Sequence, residues 1–179
     1  MKSNTKWPAL VLFMALLAGQ PAFAERADRD KPMNIEADSA RMDDVRKLAI
    51  YEGKVVMTQG TLWLSADRVD VRQDPEGFTS GVAVGKPVQF RQKLEGRDEF
   101  AEGWADRIEY DARQEVVRLI GNARLKKGEE ELRGSLVTYN AKNEQFHATG
   151  SLPGQTKGRV RAVILPKSSN QNGTPGGKQ

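Results

Sequence analysis

Cysteine is absent, and histidine occurs once, as His147. The first absence removes a disulfide framework, a thiolate nucleophile, thiolate-bound zinc and an acylated lipoprotein cysteine. The second argues against a metal site or a histidine relay, which usually draw on several imidazoles. Aromatic residues make up only 7% of the chain. No apolar run reaches the roughly 20 residues that a membrane-spanning helix requires. No Gly-x-x-x-x-Gly-Lys-Ser/Thr phosphate loop occurs, so energy for any movement must come from elsewhere. Helical periodicity is missing as well: no window of 12 residues carries it, and a short helix over 39–46 is the only one left open.

What is present is 17 glycines and a charged fraction of 29% in 179 residues, the profile of a β-rich soluble domain. The amino end has the form of a secretory signal. Lys2 and Lys6 precede an apolar run from Pro8 to Ala18, and Ala22-Phe23-Ala24 is a small-x-small cleavage site. Residues 1–24 are therefore expected to be removed. Residues 167–179 are polar and rich in Gly and Pro, which predicts a disordered tail. Lys2, Lys6, Lys167 and Lys178 all lie in these ends, so 25–166 balances 24 basic against 24 acidic residues. The domain itself has no basic excess, and no nucleic-acid partner is expected.

From Met33 onward, apolar and polar residues alternate. Met33-Asn-Ile35-Glu, Tyr51-Glu-Gly53-Lys-Val55-Val-Met57, Leu62-Trp-Leu64, Val69-Asp-Val71 and Val88-Gln-Phe90 show the pattern. Ile108-Glu-Tyr110, Ala123-Arg-Leu125, Val137-Thr-Tyr139 and Val160-Arg-Ala162 continue it. Strands send successive side chains to opposite faces, so this is half-buried sheet. Turn signals every 8–12 residues, such as Gln59-Gly60, Asp74-Pro75-Glu-Gly77 and Lys127-Gly128, divide it into short antiparallel strands.

The chain also repeats. Residues 35–71 align without gaps on 103–139, an offset of 68, with Ala37/Ala105, Asp38/Asp106, Asp43/Asp111, Gly53/Gly121, Gly60/Gly128, Leu64/Leu132 and Val69/Val137 identical. Composition alone gives roughly two or three identities over such a length. Repeated β units bury their apolar faces by stacking, which predicts an elongated roll rather than a compact barrel.

Pro32-Met-Asn-Ile-Glu-Ala-Asp38 followed by Tyr51-Glu-Gly-Lys-Val-Val-Met-Thr-Gln-Gly-Thr-Leu-Trp-Leu-Ser-Ala-Asp-Arg-Val69 resembles the OstA-like family of periplasmic lipopolysaccharide transport proteins. Gly85-Lys-Pro-Val-Gln-Phe90, Ala105-Asp-Arg-Ile-Glu-Tyr-Asp111, Leu119-Ile-Gly-Asn-Ala-Arg-Leu125 and Gly158-Arg-Val-Arg-Ala-Val-Ile-Leu-Pro166 follow in the same order. Each motif is only strand plus turn; the order and spacing over 32–166 carry the resemblance. It implies an all-β fold: an elongated, open-ended, twisted antiparallel β-jellyroll, as a single domain over 25–166. It also implies a periplasmic carrier that shields the acyl chains of lipid A. The implied partners are lipopolysaccharide, a like-fold protein of the inner-membrane transporter complex, a like-fold periplasmic domain of the outer-membrane translocon, and further copies joined head to tail. Partner edges are expected near 33–38 and 158–165.

Such a carrier needs an apolar trough, since each methylene left in water costs about 0.8 kcal/mol. The expected lipid-binding residues are Met33, Ile35, Tyr51, Val55, Met57, Leu64, Phe90, Ile108, Tyr110 and Leu125. The resemblance places Met33, Ile35, Phe90, Ile108 and Tyr110 among lipid-facing positions, with Met33 and Ile35 at the amino-terminal opening. The plainer alternative for most of these residues is core filling between two sheets. Lys54, Arg68, Arg91, Arg97 and Arg107 alternate with apolar positions and should face outward, as should Trp63 and Trp104. Asp38, Asp67 and Asp106 follow alanines at similar strand positions, which suggests turn capping rather than calcium binding or acid–base chemistry. No catalytic residue, metal or cofactor is expected. Two other functions remain: an inner-membrane-anchored partner of the same pathway with the same fold, or a β-sandwich that binds or cleaves glycans. The second would need an apposed carboxylate pair for cleavage, and none is distinctive.

Overall fold

The computed structural model describes residues 28, 31–94, 98–140, 142, 143, 145–152, 154 and 158–166. The expected signal segment 1–24, Arg97 and the tail 167–179 lie outside them. Among the described residues, ten strands follow in order: β1 Met33–Glu36, β2 Ser39–Asp43, β3 Leu48–Gln59, β4 Leu62–Asp74, β5 Gly77–Lys93, β6 Phe100–Asp111, β7 Val116–Lys127, β8 Glu130–Asn140, β9 Gln145–Thr149 and β10 Arg161–Val163. They form one antiparallel sheet in the order β1-β3-β4-β5-β6-β7-β8-β10, with β2 also on β3 and β9 also on β8. Residues 39–43, where a short helix was left open, form β2 against β3.

The central strands run 11–17 residues, about twice the usual length. Each crosses a fold line at which the register shifts, between Glu52 and Val55, Ser65 and Arg68, Val84 and Val88, Trp104 and Arg107, and Ile120 and Ala123. The line divides the sheet into two leaves. The first holds β2, residues 48–52, 68–74, 77–84, 107–111, 116–120 and 136–140, and β9. The second holds β1, residues 55–59, 62–65, 88–93, 100–105, 123–127 and 130–134, and β10.

The local cause is legible in β3 and β7. Gly53-Lys54 and Gly121-Asn122 both adopt left-handed backbone, with φ of 84° and 46° in one pair and 75° and 47° in the other. Glycine takes this conformation without strain, and asparagine tolerates it better than most residues. The carboxylates of Asp38 and Asp106 pack directly on Gly53 and Gly121, where a Cβ would collide with them. Asn122 Nδ2 also donates to Asp106 Oδ2 at 3.0 Å, and Asp38 N donates to the Gly53 carbonyl at 2.9 Å. This corrects the turn-capping expectation for Asp38 and Asp106: they sit at the fold line, opposite a neighbouring strand. Asp67 is exposed within β4, not at a turn. Hairpin turns are capped instead by Asp43, Asp74 and Asp111, whose carboxylates accept from backbone N–H groups two or three residues on.

The shifts also change which parity faces inward. In β4, Leu64 and Ala66 are buried before the line and Val69 and Val71 after it. In β5 and β6 the inward sets change from Ala83 to Val88 and from Ala105 to Ile108. An odd step between inward positions exchanges the two faces of these strands, whereas β3 and β7 keep one parity across the line, and all of them contribute to one interior. That interior contains Val55, Leu64, Ala66, Val69, Val71, Ala83, Val88, Ala105, Ile108, Leu119, Ala123 and Val137. Among the described residues, no polar or charged residue is fully buried with them.

Candidate functional site

Strand register assembles the site. On the second leaf, Ile35, Met57, Leu64, Phe90, Gly103, Leu125, Leu132 and Ala162 lie side by side in one inward row. On the first leaf, Tyr51, Val69, Ala83, Ile108, Leu119 and Val137 form the row that faces it. Val71, Gly81, Tyr110, Val117 and Tyr139 form the next row outward from the fold line. Nine of the ten sequence-predicted residues thus stand in these rows or, for Met33, one step further from the line. The tenth, Val55, pairs with Ala66 beside the line.

Distance from the fold line decides what each position does. Near it the leaves converge, and Val55, Val88, Leu119 and Val137 have almost no exposed surface. Further out they diverge around a cavity of about 440 Å³. Met33, Met57, Leu64, Phe90, Ile108 and Tyr110 line it. Ile35, Tyr51 and Leu125 are partly buried against the core instead. The size falls within the range of small-molecule and cofactor sites.

Two features of the wall carry the shape. The Phe90 ring lies against Gly103, its cross-strand neighbour, occupying the space that a side chain there would fill. Phe78 and Tyr110 stack at a centroid distance of 5.9 Å. Phe78 is a wall residue outside the predicted set. It follows Gly77 directly after a turn, where no alternation precedes it, so only its aromatic character beside the turn could have marked it. Leu62, Val69, Val71, Val82, Ala83 and Val117 complete the apolar lining.

The rim is polar and held by hydrogen bonds. Asp28 accepts from the Thr61 hydroxyl and from Gln92 Nε2, and Gln59 Nε2 donates to the Lys31 carbonyl at 3.0 Å. Partial burial by itself would raise the Asp28 pKa. The hydrogen bonds from Thr61 and Gln92 outweigh it and hold the carboxyl below its ordinary value.

The outward faces carry the charge. Arg68 pairs with Glu52 at 2.8 Å and Asp70 at 2.7 Å, and Arg107 with Glu109 at 2.7 Å. Arg91 lies 3.6 Å above the Phe100 ring and Arg124 4.6 Å above that of Trp104. Trp63 is 39% exposed. A second groove of about 350 Å³ on the outer face of the first leaf is lined in part by the already paired Arg68 and Arg107. Glu131 accepts from Arg124 and Arg133, and these hydrogen bonds lower its pKa to about 2. Among the described residues, no cluster of three or more His, Cys, Asp or Glu side chains could hold a metal ion.

Comparison with known proteins matches this architecture. Residues 34–145 match the family model described as LptA/(LptD N-terminal domain) LPS transport protein. Over 166 residues the chain is 33% identical to the lipopolysaccharide export system protein LptA of Haemophilus influenzae, covering 90% of this chain and 94% of that one. It is 33% identical over 187 residues to LptA of Escherichia coli K12, covering 99% and 97%. The crystal structure of LptH, the LptA-homologous periplasmic component of the lipopolysaccharide transport device of Pseudomonas aeruginosa, superposes with a TM-score of 0.70 at 31% identity, covering 78% of this chain and 99% of that one. An all-β jellyroll, its order of motifs and the full-length similarity agree: this chain belongs to the LptA/LptD amino-terminal-domain family of lipopolysaccharide transport proteins.

Proposed function

We propose that this protein is a non-catalytic periplasmic carrier of lipopolysaccharide, which takes acyl chains between its two leaves and joins like-fold proteins at its open ends. The observation that carries this reading is the apolar cavity of about 440 Å³ between the leaves. Its walls are aliphatic and aromatic, and its polar groups are confined to the rim. Each methylene moved from water into it gains about 0.8 kcal/mol, so even a part of one acyl chain supplies several kcal/mol. Met33, Met57, Leu64, Phe90, Ile108 and Tyr110 are the proposed lipid contacts, with Leu62 and Phe78 added. Met33 and Met57 bring flexible, polarizable side chains suited to chains of differing length.

The ends suit assembly. β1 and β2 border the sheet at one end, β9 and β10 at the other, and among the described residues each pairs with one neighbour. Exposed strand edges recruit further strands. The proposed partners are therefore a like-fold inner-membrane component, a like-fold outer-membrane component and other copies of this chain. An edge of one kind meeting an edge of another is a heterologous contact, which leaves a free edge at each end for further copies to join.

A photo-crosslinking residue placed singly at Met33, Phe90, Tyr110 and the outward Arg68 tests the lipid site. Lipopolysaccharide adducts are expected at the first three and not at Arg68. Equal labelling at all four would refute the reading.

A further inference from the structure

The repeat seen in the sequence is a repeat of four strands, and the chain contains two. Shifting β6, β7 and β8 back by 68 residues lays them on β1 with β2, on β3, and on β4. The pairing partners of β4 and β8 correspond in turn. Leu64 pairs with Phe90 as Leu132 pairs with Ala162, and Val69 pairs with Ala83 as Val137 pairs with Ala148. β9 and β10 together therefore stand where β5 stands in the first unit. The segment between them is longer than Gly85-Lys-Pro87 of β5. Its ends nevertheless close on each other, because Gly150 and Gly158 are in backbone contact.

The junction between the two units inside the chain is β5 on β6. Among the described residues, the first unit has no strand before β1 and β2, and the second has none after β9 and β10. We infer that one copy meets the next by reproducing the internal β5·β6 junction residue for residue, with β10 on β1 and β9 on β2. This inference rests on the end-to-end association proposed above and specifies its register and contacts.

The internal pairs Gln89↔Trp104, Phe90↔Gly103 and Gly81↔Tyr110 translate into Arg161↔Glu36, Ala162↔Ile35 and Phe146↔Met42. Two residues beyond Ala162, just past β10, the same register sets Ile164 beside Met33. The translated register is chemically complementary. Arg161 meets the carboxylate of Glu36 on the outward face. Met42, Phe146 and Ile164 are 68%, 48% and 77% exposed in the single chain, and on the inward parity they would cover one another or Met33. Val160, Val163 and Leu165 are also exposed on the same terminal segment. Large exposed apolar side chains on terminal strands mark an interface more than a solvated surface does. The junction would extend the inward rows of both leaves without a break, since Phe146 already stacks on Tyr139 at 4.5 Å and Met33 lines the cavity.

Engineered cysteines test the register in the full chain, which has none of its own. Directly opposed residues of an antiparallel pair have Cα atoms about 4.5–5.5 Å apart, within reach of a disulfide. The pair Glu36→Cys with Arg161→Cys is expected to give a ladder of covalent oligomers on mild oxidation, and the slipped pair Glu36→Cys with Arg159→Cys much less. A ladder from the slipped pair alone, equal ladders from both, or scattering that reports oligomers with a ladder from neither, would each overturn the register while leaving end-to-end association standing. Monomer mass by light scattering at millimolar concentration with no ladder from either pair would refute the association itself. As a second readout, Glu36→Arg alone and Arg161→Glu alone should each weaken association about tenfold. An equimolar mixture of the two variants should restore it, because each faulty edge then meets an opposite charge. Failure of the mixture to recover would also overturn the register.

Discussion

The seat of Phe90 on Gly103 allows a sharp test of the cavity. A Cβ at residue 103 would collide with the Phe90 ring, which has no escape through the backbone of the flanking strands. The ring's free direction is into the cavity that it already lines. Gly103→Ala should therefore push it there, with two consequences. Overpacking of this kind costs roughly 1–3 kcal/mol, and the adjoining space should keep the loss near 1.5 kcal/mol. For a chain of this size that is a fall of about 3–6 °C in Tm. The displaced ring should also occupy volume that an acyl chain would use, so affinity for a fluorescent fatty-acyl probe should fall several-fold. The Phe90→Ala background separates the collision from any other effect. There the added methyl meets no ring and relieves the entropy of a strand glycine, so Gly103→Ala should become neutral or slightly stabilising. Thermal melts of the four proteins give the coupling, expected to be at least 1 kcal/mol. Additive melting temperatures, or an unchanged probe affinity in Gly103→Ala, would show that the ring does not control the cavity.

Three further outcomes are expected. Gly121→Ala places a side chain at φ 75° and against Asp106, and should cost about 2 kcal/mol; in an Asp106→Ala background the cost should fall to about 1 kcal/mol by thermal melting. The lowered pKa of Glu131 means that its pairing contributes stability fully above about pH 4.5 and loses it as the pH falls toward about 2. Glu131→Gln should accordingly melt lower than the parent at pH 7, by a few degrees, with the difference closing near pH 2; a constant difference across that range would rule out the ion pair as its source. Arg68→Ala removes outward, half-exposed ion pairs, so the melting temperature should hardly change and acyl-probe affinity not at all; a lost affinity would place Arg68 in the site.

Sequence alone determined the fold class, because period two admits only strands and the recurring turns admit only short antiparallel connections. It also determined the repeat, which sets Gly53 and Gly121 at matching positions; the left-handed backbone they share with Lys54 and Asn122 came from the structure. The candidate lining followed from parity: Ile35, Met57, Leu64, Phe90 and Leu125 do share one inward row. What parity could not supply was depth. Val55 and Met57 alternate alike on β3, yet one is sealed beside the fold line and the other faces the cavity. That difference is set by how far each stands from a crease made of register shifts on five neighbouring strand pairs. Parity also failed across the crease, where β4, β5 and β6 exchange their inward faces. Phe78 and the asymmetry of the terminal edges were equally invisible in one dimension. Alternation records which side of a strand is dry, a local property, whereas the angle between two leaves belongs to the whole sheet and decides where dry surface becomes solid core and where it leaves room for a ligand.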